Sequence, residues 1–369
     1  MRIEAAKVYS LCQTKKRSNE QEATRANVLV RRAVGCRNDA RRPCHGCHSL
    51  MEKSSEPDNT EAMEKRKIGS LDVTVLGLGC NNFGWRIDAN ATKKVVDAAL
   101  DAGINFFDTA DIYGKGQSEE FLGRALGSRR DEVFIATKFG MEMDKKRKGA
   151  KPDYVARALE ASLQRLGTDW IDLYQLHQPD PETPIGETLY ALNEVVRAGK
   201  VREIGCSNFS VEQLREAEVA AMNGAHFISI QNEFSLFHRE PEKDILIDCE
   251  HAGIAFLPYF PLASGLLTGK YRKGQKPLEG SRASEGFGPK VVTRKNLEIV
   301  EKLIDFAQSH NHTILELAFG WLLAHKPVAS VIAGASTPGQ VKINVTEAEG
   351  WKLTAEHMAE IDKIVPPAA

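Results

Sequence analysis

FFDTADIYGKGQSEEFLGRAL, residues 106–126, begins like a strand and ends like a helix, with its chemistry between the two. Phe106 and Phe107 suit a buried strand, yet Asp108 follows at once, then Asp111 and Tyr113, before an amphipathic pattern sets in over Glu119–Leu126. Ser118 is placed to act as the N-cap of that helix, and Glu119 and Glu120 suit the positive end of its dipole. An apolar run that ends in an acid and passes through a polar turn into a helix reads as one unit of a parallel α/β fold.

The same unit recurs along the chain. Strands are expected at 75–79 (VLGLG), 105–108 (NFFD), 133–138 (VFIATK), 171–177 (IDLYQLH), 202–207 (REIGCS), 227–231 (FISIQ), 254–259 (IAFLPY) and 330–334 (SVIAG). Helical periodicity falls between them at Thr92–Ala102, Glu119–Leu126, Asp153–Leu166, Glu187–Ala198, Val211–Ala221, Glu242–Ala252 and Arg294–Gln308, and after them at Pro338–Ala348. Eight such units in about 300 residues fit a closed (β/α)8 TIM barrel better than an open sheet with a switch point. KRKIG followed by LDVTV predicts a short N-terminal β-hairpin cap. The long seventh-to-eighth interval must hold a loop, Ser264 to Lys290, and an extra helix, Ile314–Ala324.

Composition narrows the function classes. The 369 residues are 42% hydrophobic, enough for a sizeable core, and the formal net charge of −1 provides no field for gathering nucleic acid or an anionic membrane surface. The longest apolar stretch, Ile314–Ala324, is too short to span a bilayer and carries Glu316. Residues 1–62 show no periodicity and hold Cys12, Cys36, Cys44 and Cys47, four of the seven cysteines. They read as a disordered or non-native extension ahead of one catalytic domain, 63–369. CHGCH at 44–48 has the C-x-x-C-H spacing of haem attachment or of half a zinc site, but no second ligand pair accompanies it. With no apolar h-region and with Glu4, Glu20, Glu22 and Asp39 scattered through the segment, a signal or transit peptide is not expected, and the reading is cytoplasmic.

Asp108, Lys138, His177, Ser207, Gln231 and Tyr259 each stand where an apolar strand ends. In a barrel all those ends converge on one rim, the face on which such folds carry their active sites. Reducing a carbonyl by hydride leaves negative charge on oxygen, so the site must deliver a proton. Tyr113 can donate it; Lys138 can stabilise the phenolate and lower the phenol pKa; Asp108 can hold and neutralise Lys138; His177 can hydrogen-bond the substrate oxygen.

These residues resemble the aldo-keto reductase superfamily, in its bacterial and plant branch of general reductases related to potassium-channel β subunits. The resemblance covers about residues 64–365 and rests on FFDTADIYGKGQSEEFLGRAL, IATKFG, DLYQLH, IGCSNF, QNEFSLF, YFPLASGLLTGKY and GASTPGQV. It implies a (β/α)8 barrel, an Asp108, Tyr113, Lys138, His177 tetrad, and NADPH/NADP+ as cofactor. Ser207, Asn208 and Gln231 would hold the nicotinamide carboxamide, and Tyr259 would stack on its ring. Phe260, Pro261, Leu262 and Ser264 would cross the pyrophosphate, with Lys270 and Arg282 supplying positive charge. Gly334, Ser336, Gln340 and Asn344 would receive the adenosine phosphate at a helix N-terminus. Ile343 stands where many relatives have a Glu holding adenine.

A small-molecule carbonyl substrate is implied, with Phe83, Trp85 and Phe234 as apolar residues near the mouth. The alternative is an NADPH-binding redox-sensing subunit with slow turnover. GLGCNNFG, 77–84, only superficially suggests a dinucleotide fingerprint, since its third glycine comes two places late and no helix opens there. The histidines form no H-E-x-x-H set and no metal is expected. Cys80, Cys206 and Cys249 read as small buried hydrophobes. A chain shortened to begin at Met63 should therefore keep its fold and its NADPH binding, with a melting temperature within about two degrees of the full-length protein. A clear loss in a thermal melt would show that the removed residues pack on the barrel.

Overall fold

The computed structural model describes residues 62–274 and 291–368. The expectations for the N-terminal extension and for Arg282 lie outside the described residues. β1 (Lys65–Ile68) and β2 (Leu71–Thr74) form the antiparallel hairpin foreseen from KRKIG and LDVTV. Eight strands then run parallel: β3 (Leu76–Gly79), β4 (Phe106–Asp108), β5 (Phe134–Phe139), β6 (Ile171–Leu176), β7 (Val201–Ser207), β8 (Phe227–Glu233), β9 (Ala255–Tyr259) and β10 (Val331–Gly334). They neighbour one another in the order β10-β3-β4-β5-β6-β7-β8-β9. The two ends of that row meet at Phe256, whose N–H donates to Pro327 O (2.8 Å) and whose O accepts from Ala329 N (3.1 Å) just ahead of β10. The result is a (β/α)8 barrel with a hairpin cap.

Ten helices are found among the described residues: α1 (Ala89–Asp101), α2 (Gln117–Leu126), α3 (Pro152–Leu166), α4 (Ile185–Arg197), α5 (Val211–Ala221), α6 (Ile245–Ala252), α7 (Arg294–Ser309), α8 (Ile314–Leu323), α9 (Pro338–Ala348) and α10 (Ala355–Ile364). The last had no counterpart among the expected helices. A capping box between Thr354 and His357 starts it. Arg239, buried at 6% exposure, donates to Asp362 (2.8 Å) and to the Val365 carbonyl, tying this helix back to the loop after β8. No helix among the described residues is long and apolar enough to cross a membrane.

Ser118 is not an N-cap. Helix α2 starts two residues earlier than expected, after Gly116 in a left-handed conformation (φ 97°), and Ser118 is wholly buried, with its Oγ donating to Cys80 O (2.9 Å) and lying 2.8 Å from Thr109 Oγ1. Glu119 does more than face the helix dipole: it is fully buried, and its two oxygens accept from Thr137 Oγ1 and Arg165 Nε, both at 2.6 Å. The motif therefore binds α2 to β5 and α3 through side chains that a solvated helix face would have left in water.

Inside the barrel the two-residue period of the strands builds a layered interior. Phe106, Ala136, Leu173, Ala255, Leu257 and Ile332 form one apolar cluster with Ile68, Leu71 and Val73, so the hairpin plugs the end at which the strands begin. Two residues further along, the same faces carry Asp108, Lys138, Gln175 and Tyr259. One end is apolar and the other polar because the pleat repeats. The polar layer is tightly filled: a Cβ on Gly205 would lie 2.4 Å from Ser229 Oγ and 3.0 Å from Ser229 O. Gly205→Ala should thus lower stability by about 1–3 kcal/mol, the usual cost of overpacking. Adding Ser229→Ala, which clears the nearer atom, should recover part of it; urea denaturation of the single and double variants measures both effects.

Candidate active site

Asp108 and Lys138 lie side by side at the ends of β4 and β5, 3% and 0% exposed. The Lys138 ammonium donates to both Asp108 oxygens (2.8 and 2.7 Å) and to Thr109 O (2.9 Å), so its three hydrogens all have acceptors. Asp108 Oδ1 also accepts from Gln231 Nε2 at 2.8 Å, with Gln175 Nε2 further off at 3.5 Å. Burial by itself would push the Lys138 pKa down; the charge of Asp108 and the nearby Tyr113 hydroxyl reverse this, and the net shift is upward. Lys138 is therefore a cation near neutral pH.

Tyr113 reaches this pair from a turn. Its N–H donates to Ala110 O (3.2 Å), and Gly114 and Lys115 then take left-handed conformations (φ 56° and 58°) that swing the chain back into α2. A side chain at Gly114 would meet Phe83 O at 2.9 Å, so the turn lies directly on the loop after β3. Lys138 Nζ is 5.1 Å from the centre of the Tyr113 ring. The ring as a whole is half-buried, while its hydroxyl sits at the enclosed end. Burial there raises the phenol pKa and outweighs the downward pull of Lys138. The expected direct lowering by Lys138 is present as a contribution but does not win in the resting site.

His177 follows β6, 7% exposed, with its ring 5.8 Å from that of Tyr113 at an angle of 80°. Burial and the nearby Lys138 charge push its pKa down to about 3, so it is neutral near pH 7. Its Nδ1 is buried with no hydrogen-bond partner, and the tautomer with the proton on Nε2 leaves no buried donor unpaired. Asn208 Nδ2 donates to the His177 carbonyl (2.9 Å) and to Ser207 Oγ (3.1 Å), while Asn208 Oδ1 accepts from Tyr259 OH (2.8 Å). Ser207 Oγ donates to the Gln231 carbonyl at 2.7 Å.

A cavity of about 720 Å³ opens along this rim, within the range of small-molecule and cofactor sites. Asp108, Tyr113, His177, Ser207, Asn208, Gln231, Tyr259, Phe260, Pro261, Leu262, Ser264, Lys270, Gly334, Ser336, Gln340 and Asn344 all line it. Four non-glycine residues of its wall, or beside it, have left-handed backbones: Asn208 (φ 60°), Phe260 (51°), Ala263 (45°) and Ser264 (58°). Strained conformations of this kind gather where a chain must follow a ligand closely. At the far end Thr337 caps α9, and Ser336 gives both its N–H (2.8 Å) and its Oγ–H (3.0 Å) to Gln340 Oε1. An anion at that helix start would have to displace the Gln340 amide oxygen.

The three residues expected near the mouth do not line the cavity. Phe83 and Phe234 are fully buried and line no part of the cavity; Phe234 packs on Trp321, Phe256 and His325 with ring centres 4.8, 5.7 and 5.0 Å away. Trp85 is 65% exposed beneath the Arg86 guanidinium (4.5 Å) and is likewise outside it. The Phe83 and Phe234 rings gain more by filling the helix-facing core than by lining a cleft, whereas Trp85 lies on the surface. Asn81, Asn82, Arg86 and Met141 line the cavity instead. Asn81 and Asn82 could have been found, since they follow β3 just as the chosen residues follow their strands.

The aldo/keto reductase family pattern matches residues 75–366. The NADP(+) aldo-keto reductase yakc of Schizosaccharomyces pombe is 37% identical over 270 residues, covering 70% of this chain and 79% of that protein. A probable voltage-gated potassium channel subunit beta of Arabidopsis thaliana is 34% identical over 296 residues, 77% of this chain and 90% of its own. Among solved structures, the glycerol dehydrogenase of Gluconobacter oxydans superposes with a TM-score of 0.72 at 32% identity, covering 83% of this chain and 97% of that one. The family match thus spans the whole barrel, and the chain is an oxidoreductase of the aldo/keto reductase family.

Proposed function

We propose that the protein reduces aldehydes or ketones to alcohols with NADPH, reversibly, using Tyr113 as the proton donor. The observation that carries this reading is the placement of the Tyr113 phenol and the His177 ring together on the cavity wall, with the buried, fully bonded Lys138 ammonium directly behind Tyr113.

The residues of the cleft fit a dinucleotide. Tyr259 offers a ring face, and Ser207, Asn208 and Gln231 offer neutral polar atoms at the catalytic end, which suit a carboxamide. The Gln231 amide nitrogen is held by Asp108, so its oxygen is the atom suited to accept from a ligand amide. Lys270 adds a positive charge beside the strained Phe260–Ser264 segment, where a diphosphate would run. NADPH, when bound, supplies the hydride. The choice of NADPH over NADH is supported by the NADP(+) in the name of the yakc relative, and by Arg282 in the sequence.

Tyr113 delivers its proton to the carbonyl oxygen as negative charge develops there. Its raised pKa keeps the proton in place until that moment. Lys138 then stabilises the phenolate, and Asp108 holds the ammonium in line. His177, neutral, donates one hydrogen bond that fixes the carbonyl without competing as an acid. Solvent in the open cleft returns the proton to Tyr113.

Tyr113→Phe removes the donor with little change of volume, so steady-state reduction of a panel of aldehydes should fall by about 10²- to 10⁴-fold while NADPH binding, followed by fluorescence, persists. Near-normal reduction by that variant would contradict the reading, and a parent enzyme limited to a single slow turnover would favour a sensor. A second outcome follows from His177. A histidine that must be neutral and titrated at its ordinary 6.5 would lose activity as pH falls through that value; held at about 3, it should cause no decline in kcat between pH 7 and pH 5. Stopped-flow rates, which avoid slow acid decay of the cofactor, check this.

A further inference from the structure

Two places before Tyr113 stands a carboxyl group that the chemistry above does not use. Asp111 is 1% exposed, and neither of its side-chain oxygens has a well-formed hydrogen bond, the adjacent Ile112 N–H lying too poorly aligned to make one. It is the only carboxylate with both oxygens in that condition among the described residues. The groups around it explain why. Glu119 on α2 adds negative charge; Arg165 on α3 is bonded to Glu119 at 2.6 Å; Lys138 on β5 is bonded to Asp108. Tyr154 on α3 and Tyr174 on β6 contribute only phenols, and the Tyr174 hydroxyl is itself buried without a partner. Burial and the Glu119 charge raise the Asp111 pKa to about 7 against the weaker pull of Arg165, the Ile112 N–H and Lys138.

The backbone links this carboxyl to the proton donor. Asp111 N–H donates to Lys138 O (3.0 Å) and Tyr113 N–H to Ala110 O (3.2 Å), so Asp111 and Ile112 are the middle residues of the turn whose fourth residue is Tyr113. An ionised carboxylate in that dry layer must find water or a donor. Rotating the turn that also carries Tyr113 brings it to either.

On the reading that Tyr113 donates the proton, we propose that Asp111 is a positioning residue: protonated, it lets the 110–113 turn lie on β5 and hold Tyr113 beside Lys138; ionised, it lifts the turn and slows reduction. A group that must keep its proton makes kcat fall about tenfold per pH unit above its pKa.

The test combines kcat against pH with a spectroscopic titration of the full chain, for the parent and for Asp111→Asn, whose amide copies the shape of the protonated acid. In the parent, the ¹³C resonance of the Asp111 carboxyl and that of Tyr113 Cζ, assigned with Tyr113→Phe, should move together near pH 7, and kcat should fall over the same range. In Asp111→Asn the Tyr113 signal should stay still and that fall in kcat should disappear. A carboxyl that titrates near pH 4, a Tyr113 signal indifferent to Asp111, or an unchanged profile in the Asn variant would each overturn the proposal. Coupled resonances in a protein that reduces no aldehyde would support the link between Asp111 and Tyr113 and count against the reductase reading.

Discussion

The buried ion pair of Asp108 and Lys138 is the constraint around which the rim is arranged. Two charges withdrawn from water are tolerated only where every hydrogen and lone pair finds a partner. Here the ammonium has three acceptors, and the carboxylate takes the Gln231 amide as well. Satisfying the pair requires a polar layer inside a barrel whose other layer is hydrocarbon, with glycine at 205 making room for Ser229 and Gln175. The apolar plug from the hairpin keeps water from reaching the pair from below.

That pair also sets the charge states of its neighbours. Lys138 pulls the Tyr113 phenol down while burial pulls it up, and it adds to the burial that keeps His177 neutral. Two of these shifts act on stability in opposite directions. His177 falls from 6.5 to about 3 on folding, so its contribution is complete above pH 6.5 and is lost as pH drops toward 3. Asp111 rises from 3.8 to about 7, so its contribution is complete below pH 3.8 and is lost as pH climbs through 7. Each shift of about three units corresponds to roughly 4 kcal/mol, at about 1.4 kcal/mol per unit. Between pH 4 and 6.5 the two slopes offset one another. The fold thereby carries a neutral imidazole and a neutral carboxyl beside the Lys138 ammonium without a steep dependence on pH in that window.

The relation between residues and chemistry was legible because the barrel is periodic. Once β4 is recognised from Phe106 and Phe107, Asp108 must face inward at its end, and the same counting places Lys138, Ser207, Gln231 and Tyr259. Counting fails where side chains leave the strands. Phe83, Trp85 and Phe234 sit on loops, whose direction is set by tight contacts such as that of Gly114 with the Phe83 carbonyl. Helix α10 is held by the buried Ile361 and by Arg239, over a hundred residues earlier in the chain, and neither the packing partner nor the ion pair is visible in the local sequence.

The sequence by itself determined the eight strands, their parallel direction, the hairpin and the convergence of Asp108, Lys138 and His177, since each follows from local hydrophobic period and from the rule that barrel strands end on one face. Tertiary structure alone decided which polar groups are satisfied. Glu119 and Asp111 are both acids in one turn-and-helix motif. The first is answered by Arg165 and Thr137, the second by no side-chain hydrogen bond, because the partners come from α3 and β5 and bond only one of the two. That asymmetry depends on distances between elements far apart in sequence, and with it goes the ionisation of a carboxyl two residues from the proposed proton donor.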